Sequence, residues 1–109
     1  MTPEGRVKKQ ITALLKQYPH VFYDMPVPGG YGKSTLDYIG CAPCAEGCGL
    51  FFAIEAKAPG NVPTDQQKLL LGRIEQAGGV TFVVSGPGIE WDRLVAFLHK
   101  TYGKVWRVG

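Results

Sequence analysis

Long apolar runs are missing from this chain of 109 residues. None approaches the ~18 consecutive apolar residues of a membrane span, so no membrane partner is expected. Met1-Thr2-Pro3-Glu4-Gly5-Arg6 carries no apolar stretch of the signal-peptide kind, and a cytoplasmic location is the expectation. Charge of one sign is also scarce: 12 Lys and Arg against 9 Asp and Glu leave +3. That balance permits nucleic-acid binding without demanding it, because a clustered patch decides the matter. Metal-binding side chains are few. Cys41, Cys44 and Cys48 lie together in Cys-Ala-Pro-Cys-Ala-Glu-Gly-Cys, but no fourth cysteine or nearby histidine follows, and His20 and His99 are far along the chain. A structural zinc site wants four ligands, so the plainer expectation is a tight connection with reduced thiols. The cytoplasmic expectation disfavours a disulfide.

What is present suffices for one domain, residues 1–109, with no internal repeat or low-complexity tract. Thr2-Pro3-Glu4 opens a helix, with a capping threonine and a first-turn proline, and Val7, Ile11, Leu14 and Leu15 recur at helical spacing. Strands are expected at His20–Tyr23, Thr35–Ile39 and Leu50–Lys57, with a loop over Pro26–Gly32 and a turn through the cysteines. A helix starts near Thr64, carries Leu70, Leu71, Ile74 and Ala77, and stops at Gly78-Gly79. The β-branched run Val80–Val84 reads as a buried strand and Ile89–Tyr102 as a last helix, with Val105–Val108 as a candidate edge strand. The order α-β-β-β-α-β-α implies a mixed β-sheet flanked by helices, in the α/β class.

The chemistry concentrates in Asp37 … Glu55-Ala56-Lys57 … Thr64-Asp65-Gln66-Gln67. Glu55 and Lys57 are two apart in a strand and so project from one face. Asp37, in Leu36-Asp37-Tyr38-Ile39, is a depleted residue type for a strand; it is either a solvent-facing edge position or a second carboxylate beside Glu55. Two carboxylates, with the Ala56 carbonyl between them, suit a hard divalent cation, and Lys57 suits the charge growing on phosphorus. Gln67 stands three residues after Thr64, where a capping box alone would explain it; it is also placed to reach the site. Gly29-Gly30-Tyr31-Gly32-Lys33-Ser34-Thr35 fails as a phosphate-binding P-loop, since Val27 occupies the first glycine position and a strand follows, so no nucleotide cofactor is expected. Gly32, Lys33 and Ser34 remain suited to contacting a nucleic-acid phosphate. Lys8, Lys9 and Lys16 read as solvent-facing, or as a backbone-binding stripe, and Trp91 and Trp106 as packing residues.

These residues, in this order, resemble the VRR-NUC domain, the virus-type replication-repair nuclease branch of the PD-(D/E)XK superfamily. The resemblance runs from Glu4 to about Ser85 and rests on Gly32–Gly40, Phe52–Gly60, Thr64–Gln67 and Ala77-Gly78-Gly79. Leu36 departs from the proline that the family often has before its motif aspartate. The resemblance implies a restriction-endonuclease-like core and a Mg2+- or Mn2+-dependent DNA endonuclease. It maps the acidic metal ligands to Asp37 and Glu55, the catalytic lysine to Lys57 and the motif glutamine to Gln67, with Gln66 as the off-by-one alternative. The first-helix glutamate of the family maps to Glu4. Stand-alone bacterial and phage members imply a homodimer acting on branched DNA such as Holliday junctions. The alternative is a non-catalytic DNA-binding or zinc-binding module on the same fold.

Overall fold

Seven elements follow from the chain's punctuation, in a computed structural model that describes residues 1–27, 35–44 and 47–106, the last five by backbone alone. Helix α1 (Pro3–Leu15) starts at Thr2, whose Oγ1 accepts from the Gly5 N–H at 3.0 Å, and buries Val7, Ile11, Leu14 and Leu15. Strands β1 (Phe22–Asp24), β2 (Tyr38–Pro43) and β3 (Gly49–Ala56) come next. Helix α2 (Asp65–Gln76), strand β4 (Val80–Val84) and helix α3 (Ile89–Trp106) complete the order. Gly78 ends α2 at φ 93°, a backbone conformation glycine adopts at no steric cost, and the Gly79 N–H returns to the Ile74 carbonyl at 2.9 Å.

The strands form one mixed sheet in the order β1-β2-β3-β4. β1/β2 and β2/β3 pair antiparallel, whereas the α2 crossover makes β3/β4 parallel, with Glu55 opposite Val83. Helices α1 and α3 cover one face over Tyr38, Ala42, Phe52, Ile54, Ala56, Phe82 and Val84. Helix α2 covers the other over Ala53 and Val83, with Leu71 turned inward. The Tyr38 hydroxyl ties the sheet to α1: it donates to the Lys8 carbonyl at 2.8 Å and meets Thr12 Oγ1 at 2.8 Å.

Two expected boundaries are corrected. Strand β2 begins at Tyr38 rather than Thr35 and continues through Cys41 to Pro43, because pairing with β3 extends to Pro43 opposite Gly49. Asp37 therefore precedes the strand. Val105 and Trp106 prolong α3 instead of opening an edge strand. Gly32, Lys33 and Ser34, the expected phosphate-contacting residues, lie outside the described residues. Among the described residues no helix is long and apolar enough to cross a membrane.

Candidate active site

The β2/β3 backbone ladder has its last pair at Tyr38 and Ile54. One residue beyond, side chains replace the ladder. The Asp37 N–H donates to Glu55 Oε1 at 3.2 Å, and the Ala56 N–H donates to Asp37 Oδ2 at 2.8 Å. Each carboxylate thereby satisfies a backbone amide that the departing strands would leave unpaired. The arrangement brings Asp37 and Glu55 together although 18 residues separate them.

Glu55 follows Ala53 onto the α2 face, beneath the start of that helix. Thr64 caps α2, with Oγ1 accepting from the Gln67 N–H at 3.2 Å and its own N–H donating to Gln67 Oε1 at 2.9 Å. The capping box uses only the oxygen of the Gln67 amide. Its Nε2 donates to Glu55 Oε2 at 2.7 Å. One side chain, that of Gln67, thus both completes the cap and bonds Glu55.

Two lysines complete the cluster. Lys57 Nζ lies 3.2 Å from Glu55 Oε2, with 12% of its side chain exposed and 3% of that of Glu55. Lys8 Nζ lies 3.2 Å from Asp37 Oδ1 and 3.7 Å from Glu4 Oε2, one turn earlier on α1. Lys8 is thus a site residue, not merely part of a solvent-facing stripe. Its i,i+4 spacing from Glu4 is legible in the sequence; its reach to Asp37 is not. Three carboxylates face two ammonium groups, so the cluster carries an excess of negative charge. Burial, and then the charge of Asp37, push the Glu55 carboxyl up to about 6, while Lys57 pulls it back. Burial alone would lower the Lys8 ammonium, but Asp37, Glu4 and Glu55 outweigh it and raise it.

Comparison with family models, curated proteins and solved structures finds no match to this chain. The site therefore stands on its own geometry. It gathers Glu4, Asp37, Glu55, Lys57 and Gln67, with Lys8 added. Ala56 contributes the N–H bonded to Asp37.

Cys44 and Cys48 face each other across the β2/β3 turn, with Cα atoms 5.2 Å apart, and Cys41 is an exposed thiol. Pro43 opposite Gly49, and the Cys44 N–H on the Cys48 carbonyl at 2.9 Å, set the two residues face to face. Among the described residues no three His, Cys, Asp or Glu side chains form a metal-holding group.

The displaced Glu55 value has a measurable consequence. Its folded value of about 6 exceeds the ordinary 4.5, so folding favours the protonated form. That contribution is fully present below pH 4.5 and is lost as pH rises through 6. The interval corresponds to about 2 kcal/mol. Urea unfolding of the wild type and Glu55→Gln across this window should show the wild type losing about that much relative to the variant. Parallel curves would mean that Glu55 is not held above its ordinary value.

Proposed function

We propose that this protein is a Mg2+- or Mn2+-dependent DNA endonuclease that hydrolyses phosphodiester bonds, selective for branched DNA such as four-way junctions and acting as a homodimer. The observation that carries the reading is the convergence of Asp37, Glu55, Lys57 and Gln67 at one end of the sheet. In sequence they follow the order of the nuclease motif that they resemble.

The residues fit a hard divalent cation. The donor set is oxygen, supplied by Asp37 and Glu55; the cluster has an excess of negative charge; and a cation, the Lys8 ammonium, already sits at Asp37 Oδ1. Asp37 and Glu55 would hold the ion, with Glu4 within one side chain of them through Lys8. When bound, it supplies Lewis-acid polarisation of the phosphoryl group and acidifies a water. The protein's own residues prepare the rest. Gln67 and the Asp37 amide fix the Glu55 carboxylate, so that it does not reorganise as charge develops. Lys57, sequestered beside Glu55, places a positive charge against the oxygens of a phosphate drawn to that end of the sheet. One domain offers one such cluster, and resolving a symmetric junction takes two nicks, which a twofold dimer would deliver at fixed separation.

A nuclease of this kind acts in the cytoplasm of a bacterial or phage-infected cell. There the Cys44–Cys48 pair is expected to be reduced, with the hairpin held by its backbone bonds.

The test is cleavage of a fluorescent four-way junction beside matched linear duplex and single strand, in Mg2+ or Mn2+. Paired symmetric nicks confined to the junction are the expected result. Binding without cleavage in either metal would replace this reading with that of a non-catalytic DNA-binding module.

A further inference from the structure

Lys8 is the charged residue of the cluster that the motif does not account for. Its ammonium touches Asp37 Oδ1, whereas Oδ2 is occupied by the Ala56 amide. The outward oxygen of Asp37, the one that no backbone group holds, is therefore covered by a lysine. An ammonium on a carboxylate oxygen and a divalent cation on the same lone pairs exclude each other at contact distance.

Resting on the metal-dependent reading above, we propose that Lys8 is a built-in counterion at the Asp37 cation site, displaced when a divalent ion binds. Three features make it displaceable. Its side chain is about one-third exposed at 36%, unlike that of Lys57 at 12%. Its four-carbon stem can turn away without moving α1. A second partner waits: Glu4 Oε2 is already 3.7 Å from Nζ, so the ammonium keeps a carboxylate after leaving Asp37. Partly exposed ion pairs are weak, so this exchange lies within reach of a divalent ion at ordinary concentrations. Lys57 cannot serve the same purpose, because it is enclosed with Glu55 and has no second carboxylate among the contacts described.

The role separates Lys8 from the phosphate-facing Lys57. Lys8 keeps Asp37 neutralised before the ion arrives, and sets the ion concentration at which the site fills. It is a positioning residue toward the metal. Its test does not depend on cleavage.

Mn2+ binding would be measured by calorimetry on the wild type, Lys8→Gln and Lys9→Gln. Lys9 is the neighbouring exposed lysine on α1 and controls for the general loss of one positive charge. Lys8→Gln should bind Mn2+ about tenfold more tightly than the wild type, and Lys9→Gln within about twofold of it. The gain in melting temperature on adding Mn2+ should likewise be larger for Lys8→Gln, since tighter binding to the folded state stabilises it more. Equal affinity in the wild type and Lys8→Gln, weaker binding by Lys8→Gln, or the same tightening in Lys9→Gln would overturn the counterion role while leaving the nuclease reading intact. Failure of the wild type and both variants to bind Mn2+ would overturn both.

Discussion

Lys57→Ala is expected to lower junction cleavage by about 1,000-fold while the protein remains folded. The large effect follows from position. The Lys57 ammonium is sequestered at Glu55 Oε2, where a positive charge is far less screened than in water. The small effect on folding follows from what survives. The Lys57 N–H donates to the Val84 carbonyl at 2.9 Å, and alanine keeps that bond, so the β3/β4 register is retained. Glu55 loses its ammonium but keeps Gln67 and the Asp37 amide, and it can take up a proton rather than remain an uncompensated buried charge. The stability loss should therefore stay near 1–2 kcal/mol, by urea unfolding at pH 7. Single-turnover cleavage within threefold of wild type would remove Lys57 from the chemistry. Lost cleavage accompanied by an unfolded circular-dichroism spectrum would show only a structural role.

Gly40→Ala should be the most damaging of the conservative changes, at about 3 kcal/mol or more. Gly40 is central in the sheet, opposite Tyr23 on β1 and Phe52 on β3. A Cβ added there would meet the Phe22 carbonyl oxygen at 2.3 Å and Phe52 Cζ at 2.6 Å. Neither can yield readily. The first is backbone, and the second is a fully buried ring packed edge-on to Phe97 at 5.7 Å. The absence of a side chain at Gly40 is what lets the Phe52 ring lie across β2 and fill the α1/α3 face. Equilibrium unfolding of Gly40→Ala beside Ala42→Gly, a buried change on the same strand and face, would separate overpacking from the general sensitivity of β2. A loss below about 1 kcal/mol for Gly40→Ala would show that β1 moves aside at little cost.

Much of this architecture is legible in local signals. The capping threonines at 2 and 64, the glycines after α2 and the β-branched run of β4 each act within a few residues, and each marks an element that the structure contains. The start of β2 is not local. Thr35 to Ile39 has strand-like composition and Cys41 to Pro43 does not, yet pairing with β3, and the ring of Phe52 over Gly40, carry the strand through the cysteine segment. In the site, Glu55 and Lys57 share a face because strands alternate, and the capping box singles out Gln67 from Gln66. Asp37 meets Glu55 only through the β2/β3 pairing, and Lys8 meets Asp37 only because α1 packs across the end of β2. These partners lie 18 and 29 residues apart along the chain, and no periodicity announces them.

Where β2 and β3 part, the amide protons of Asp37 and Ala56 point into carboxylates instead of carbonyls. Anything that draws electron density from those carboxylates must alter the two N–H bonds. Their proton frequencies and hydrogen-exchange rates are therefore native reporters of whether the site is filled, needing no label and no turnover. The same two bonds close that end of the sheet, so its fraying and the separation of the carboxylates are one opening event, read at either amide.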